Sequence, residues 1–140
     1  MNKNNMAKYK AMVIFDGLCV LCYASVKFIV KKDKDKNICF TSFDTPFAQK
    51  LLAEQNIDPK KTNSIILLDI DSGKIFTKSK AVLKLTSFIK GFSKISFIII
   101  FVPRFIMDIL YNLVAKYRYK IFGTLKECDL KSELKNRFIY

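Results

Sequence analysis

Residues 13–22 read Val-Ile-Phe-Asp-Gly-Leu-Cys-Val-Leu-Cys, and they restrict the fold of this chain more than any other stretch. Met12 to Phe15 runs without a polar break, as a short strand buried on both faces does. Asp16-Gly17 ends the run, and a long apolar segment from Cys19 to Lys32 follows at once. The order is strand, tight turn, then a helix carrying Cys19 and Cys22 in its first turn. Three residues apart on a helix, the two cysteines share a face and their sulfurs can meet. A helix N-terminus also presents unpaired N–H groups and a partial positive charge, which favour thiolate over thiol. Gly17 eases the chain reversal, and Leu18, Val20 and Leu21 form an apolar collar that raises the pKa of any thiol buried in it.

The pattern downstream supplies a scaffold for that turn. Lys31 and Lys32 complement the dipole at the end of the first helix, and Asp33 to Asn37 reads as a charged turn. Ile38 to Phe43 is a second strand. Thr45-Pro46 starts a helix, with Thr as N-cap and Pro at the first helical position. Its apolar face is Phe47, Ala48, Leu51 and Leu52, and Asn56 to Pro59 ends it. Ser64 to Ile70 and Lys74 to Thr77 are strands joined through Asp71-Ser72-Gly73 into an antiparallel hairpin. Ser79 is placed to cap a helix running through Val82, Leu85 and Phe88 to Gly91. The order β-α-β-α-β-β-α predicts an α/β fold, a thioredoxin-like four-stranded mixed sheet flanked by helices.

Residues 1–92 therefore form the core that carries the cysteine pair, and 93–140 form a C-terminal helical extension packed on it within a single domain. Ile95 to Val102 is intensely apolar and stops at Pro103. An amphipathic helix then runs to about Lys120, with Ile106, Ile109, Leu110, Leu113 and Tyr117 along the side expected to pack. Arg104, Asp108, Asn112, Lys116 and Lys120 recur on another side. Arg104 and Asp108 would stand near the middle of a membrane span over 95–115, where each charge costs about 2.5–3.5 kcal/mol, so a packed helix is expected instead. Peripheral membrane contact stays open, because the segment is greasy and the chain carries a net charge of +13. The lysines are scattered or alternate with acids, as in Lys31-Lys32-Asp33-Lys34-Asp35-Lys36, which reads as a solvated surface with no nucleic-acid partner expected.

The absence of histidine excludes Ser-His-Asp and Cys-His hydrolases and His-ligated metal sites. Phe15-Asp16-Gly17 is similar to part of the aspartyl-phosphate phosphatase motif, but Ile14 stands where that motif needs its nucleophilic aspartate. The polar, basic Met1 to Lys10 followed by so short an apolar run does not read as a secretory signal, so the expected compartment is the cytoplasm. There a Cys-x-x-Cys is more often catalytic or metal-binding than a structural disulfide. Cys19, nearest the helix end and the solvent, is the expected nucleophile, and Cys22, one turn deeper, resolves the mixed disulfide. Asp16 either takes the proton of Cys22 or caps the turn. Two rivals remain: a non-catalytic binding module, and a zinc-bound structural protein using Cys19, Cys22, Cys39 and Cys128. Cys39 reads as a small core residue of the second strand.

Asp16-Gly17-Leu18-Cys19-Val20-Leu21-Cys22 resembles the signature of the DCC family of thiol-disulfide oxidoreductases, named for its Asp, Cys and Cys. The resemblance continues through Lys78-Ser79-Lys80-Ala81-Val82-Leu83, Tyr111, Ala115-Lys116-Tyr117-Arg118-Tyr119 and Phe122-Gly123 to Cys128. It implies a thioredoxin-like fold and dithiol–disulfide exchange through Cys19 and Cys22, with Asp16 as the acidic residue. No cofactor is implied, and the partners would be a protein or small-thiol disulfide and an electron donor. Arg118 and Tyr119 are expected to dock the tail, and Arg118 alternatively to stand near the dithiol as an electropositive neighbour. Cys128 is expected to pack, with a redox or metal-binding role as the alternative. Thioredoxins hold substrate backbone with a cis-proline before the third strand; here Thr62-Asn63-Ser64 occupies that place and Ser64 is the candidate stand-in.

Overall fold

Strand β1 (Ala11–Phe15) is buried along its whole length and lies inside the sheet, which explains its unbroken apolar run. The computed structural model describes residues 6–62, 64–92, 101–126, 134 and 136–140. Strand β2 (Ile38–Ser42) pairs parallel with β1, while β3 (Ile66–Asp69) pairs antiparallel with it on the other side. Strand β4 (Ile75–Thr77) completes the hairpin with β3, giving the order β2-β1-β3-β4. This is the mixed, four-stranded α/β sheet expected from the sequence, and it is consistent with a thioredoxin-like fold.

The two-residue period of the strands sorts the core onto two faces. Val13, Phe15, Ile38, Phe40 and Leu67 point to one face, covered by α1 (Val20–Lys32) through Val26 and Ile29 and by α4 (Lys78–Phe88) through Ala81 and Leu85. Met12, Ile14, Cys39, Ile66 and Leu68 point to the other, covered by α2 (Pro46–Glu54) through Ala48 and Leu52. Helix α2 starts as its sequence predicts, with the Thr45 hydroxyl accepting from the Ala48 N–H at 3.2 Å and Pro46 in first position. A single helical turn, α3 (Pro59–Thr62), leads into β3. The long helix α5 (Arg104–Phe122) lies against α1 and α4.

The last residues close the outer edge of β2. Phe40 donates its N–H to the Arg137 carbonyl at 2.8 Å, and its own carbonyl accepts from Ile139 at 2.8 Å. The Phe138 ring packs edge-on against Phe15 within the first face of the core. The tail thus covers backbone groups that an open edge strand would expose.

Three local expectations are corrected. Asp33 is not part of a solvated turn: it is the buried C-cap of α1, with carboxylate oxygens accepting from Asn37 N–H at 3.1 Å and Ile38 N–H at 2.9 Å. Ser79 does not cap α4, because the helix begins one residue earlier with Thr77 as N-cap. The buried Ser79 hydroxyl donates instead to the Asp108 carboxylate of α5. Third, α5 does not bury the apolar side expected to pack. Ile109 and Leu113 are 63% and 54% exposed, and Ile106, Leu110 and Tyr117 are exposed too. The side turned inward is Asp108, Tyr111, Ala115 and Arg118. Polar groups on this side find partners in the core: Asp108 at Ser79, Tyr111 at the Ile65 N–H and Arg118 at Asp16. Ala115 between them allows close approach.

Among the described residues no helix is long and apolar enough to cross a membrane. Residues 95–100 of the apolar run, and Cys128, lie outside the described residues. Phe101 and Val102, at the end of that run, are exposed.

Candidate active site

The turn after β1 places Cys19 as the N-cap of α1, in extended backbone conformation (φ −89°, ψ 117°). Its Sγ accepts from the Cys22 N–H at 3.3 Å, taking the place that a Ser or Asp oxygen usually fills. Asp16 braces the same turn, its Oδ1 accepting from the Leu18 N–H at 3.0 Å. Gly17 is buried beneath it and Leu18 is exposed. The apolar collar is therefore open on one side.

The two sulfurs have opposite acidities. The Cys19 thiol falls from 9.0 to about 6, chiefly because the Cys22 side chain hydrogen-bonds to it, with the Cys22 N–H and the Arg118 charge assisting against the effect of burial. The Cys22 thiol is pushed far up by that same hydrogen bond and by burial. At neutral pH the pair is a Cys19 thiolate held by a Cys22 thiol. That division of charge is what a nucleophile and a resolving thiol require.

Arg118 reaches this pair from α5. Its Nη1 donates to Cys22 Sγ at 3.6 Å, and its Nη2 donates to Asp16 Oδ2 at 3.1 Å and to the Tyr119 hydroxyl at 2.9 Å. The guanidinium also lies over the Tyr119 ring, 4.7 Å from its centre. Tyr119 donates its hydroxyl proton to Asp16 Oδ2. Burial, and then this bond to Asp16, push the Tyr119 hydroxyl up to about 12, so it remains a donor. The hydrogen bonds of the Asp16 carboxylate thus go to Leu18, Arg118 and Tyr119, while its charge opposes ionisation of both sulfurs.

Cys19 has none of its surface exposed, contrary to the expectation that it faces solvent. Helix α5 ends at Gly123 (φ +81°), and the chain folds back over the turn. Thr124 pairs antiparallel with Cys19, and the Leu125 N–H donates to the Leu18 carbonyl at 2.8 Å. Cys22 is the more accessible thiol. It lies half-buried on the wall of a cavity of about 480 Å³ between α1, α4 and α5.

Ser64 is buried, and its hydroxyl donates to the Ile65 carbonyl at 3.3 Å. The Tyr111 oxygen accepts from the Ile65 N–H at 3.0 Å, and both residues line the same cavity. No cis peptide bond occurs among the described residues. Cys39 stands apart: it lies on the opposite face of the sheet, donates to the Ala11 carbonyl at 3.6 Å and is pushed up to about 12 by burial. It is the core residue expected, and among the described residues no group of three or more His, Cys, Asp and Glu side chains converges as a metal site would need.

Sequence reasoning named Cys19, Cys22, Asp16 and Arg118, and the structure brings these four together. It gave Tyr119 only a docking role, and it missed the Thr124–Leu125 strap altogether. The place of Tyr119 beside Arg118 was the available signal for the former; nothing local marks the latter.

A low-pKa N-cap cysteine, a paired thiol and a bracing arginine stand together at the first strand-to-helix turn of a mixed α/β sheet consistent with a thioredoxin-like fold. The family model for DCC1-like thiol-disulfide oxidoreductases matches residues 13–124, and the chain belongs to that family. It is 36% identical over 129 residues to the uncharacterized protein YuxK of Bacillus subtilis (strain 168), covering 91% of this chain and 93% of that protein. It is 34% identical over 122 residues to a chloroplastic DCC family protein of Arabidopsis thaliana, covering 86% of this chain and 70% of that protein. No solved structure matches the chain.

Proposed function

We propose that the protein is an enzyme that exchanges dithiol for disulfide through Cys19 and Cys22. The observation that carries this reading is the Cys19 sulfur itself, an N-cap acceptor bonded by Cys22 with its pKa near 6. The Cys19 thiolate attacks a substrate disulfide and forms a mixed disulfide with one half, releasing the other as a thiol. Cys22 then gives up its proton and attacks the Cys19 sulfur, freeing the second thiol and leaving a Cys19–Cys22 disulfide. Arg118 favours the negative sulfur, Asp16 and Tyr119 hold Arg118 in place, and Ser64 braces the Ile65 backbone that meets Tyr111 on the cavity wall. Cys128 is kept as a packing residue or a third redox thiol. A free dithiol of this kind suits a reducing compartment such as the cytoplasm. In the test, the reduced protein is assayed for insulin-disulfide reduction. Cys19→Ser should lose activity and Cys22→Ser should accumulate a mixed disulfide visible by mass. Activity that survives loss of both cysteines would sink the enzyme reading and leave a binding module.

One further observation favours peripheral membrane contact. The exposed side of α5 presents Ile109, Leu110 and Leu113, with Lys116 and Lys120 nearby, on a chain of charge +13. An apolar face rimmed by lysine fits an anionic bilayer surface. The protein should co-sediment with vesicles containing phosphatidylserine, and Ile109→Asp with Leu113→Asp should abolish this. Equal recovery with neutral vesicles removes the electrostatic part of the reading.

A further inference from the structure

The cavity beside the dithiol has a composition that selects its occupant. It opens between α1, α4 and α5, and its wall includes Phe28, Ile29, Val82, Leu85, Phe92 and Val114. Its volume, about 480 Å³, falls in the range of sites for small organic ligands. Among the described residues lining it Arg118 is the one that carries a charge, and that charge is paired with Asp16. The side-chain hydroxyls on the wall are engaged within the protein. Ser25 Oγ donates to the Leu21 carbonyl at 2.8 Å, Thr86 Oγ1 to the Leu83 carbonyl at 2.7 Å, and the Tyr111 oxygen accepts from Ile65. A polar or multiply charged disulfide such as glutathione disulfide would shed its hydration there without replacement. An aliphatic or aromatic body would not.

Cys22 is part of the cavity wall, and its side chain hydrogen-bonds the Cys19 sulfur. We infer that the cavity is the substrate subsite and that it takes the apolar body of a small disulfide, its sulfur–sulfur bond presented past Cys22 to the Cys19 thiolate. This rests on the dithiol reading above. The substrate bond breaks and the Cys19–Cys22 bond forms, two electrons passing from the protein pair to the substrate. The proton of Cys22 and one from solvent end on the two released thiols.

The test is a single turnover of the fully reduced protein with dibutyl disulfide or with bis(2-hydroxyethyl) disulfide, similar in length and different in polarity. The Cys19–Cys22 disulfide is quantified by mass spectrometry, and each rate is divided by that of the same disulfide with free mercaptoethanol. The dibutyl compound should oxidise the pair about tenfold faster, the effect of burying two or so extra methylene groups. Val82→Phe, which fills the cavity, should slow the dibutyl compound more than the hydroxyethyl one and so remove the advantage. Ala24→Trp, on the exposed rim, should narrow the mouth to the same effect should Val82→Phe fail to fold. Equal normalised rates in the parent protein, or an advantage that persists in the folded cavity variants, would overturn the subsite and leave dithiol exchange standing. Failure of both disulfides to oxidise the pair overturns dithiol exchange itself.

Discussion

Helix α1 is bracketed by two aspartate–arginine pairs, and in each the arginine comes from the C-terminal part of the chain. Asp16 precedes the helix and meets Arg118 of α5, while Asp33 caps its far end and meets Arg137 of the tail. The far pair is enclosed by backbone. Arg137 donates to the Ile38 carbonyl from Nε at 2.9 Å and from Nη2 at 2.6 Å, and Asp33 accepts from the Asn37 and Ile38 N–H groups. The near pair shares its hydrogen bonds with Cys22 and a tyrosine hydroxyl. The same two residue types therefore serve distinct ends. Where the partners are backbone groups the pair fixes the register of tail, strand and helix; where they include a sulfur the pair brings a positive charge beside the dithiol.

The largest effect should follow from cutting the far pair. Arg137→Ala leaves Asp33 buried with its charge partner gone, a change that costs about 3–5 kcal/mol. It should appear as a large drop in the midpoint of urea unfolding. The acidity of Cys19, at the other end of the helix, should stay near its parent value. A stable Arg137→Ala protein would show that Phe138 and the edge pairing of β2 hold the tail without the arginine.

The same contrast separates what could be read in the chain from what could not. The dithiol turn was readable because its signals are contiguous: an apolar run, Asp-Gly, and two cysteines at helical spacing. The sheet was readable for a similar reason, since Thr45-Pro46 and Asp71-Ser72-Gly73 mark boundaries by local backbone chemistry. The Asp33–Arg137 pair spans most of the chain, and a charged turn full of lysines gives no hint that one of its acids is buried. Helix α5 misled for another reason. Its periodicity identifies an apolar side, but three hydrogen-bonding side chains around Ala115 have partners waiting in the core, and they decide which side turns in. Arg118 stood out only through the family resemblance, because an arginine on a basic helix carries no local mark of its partner.

A smaller effect, of a different kind, is expected at the near pair. Arg118→Ala should cost about 1–3 kcal/mol, the usual cost of hydrogen bonds to charged groups, and it should act on pH dependence as well. Folded Cys19 ionises at about 6 against an ordinary 9.0. Between those values the folded protein holds a thiolate where the unfolded chain holds a thiol. The unfolded state binds more protons there, so stability rises with pH across the window and the contribution is lost as pH falls through about 6. Removing Arg118 withdraws one source of the depression and should raise the Cys19 midpoint by up to about one unit, read from the ultraviolet absorbance of the thiolate. The rise of stability with pH should flatten accordingly, whereas Arg137→Ala should lower the whole curve and keep its slope. Tyr119→Phe, which keeps the Arg118–Asp16 contact and removes only a hydroxyl, should cost about 1 kcal/mol or less and move the midpoint least. A Tyr119→Phe protein whose midpoint rises as far as that of Arg118→Ala would mean that the tyrosine, and not the aspartate, holds the guanidinium against the sulfur.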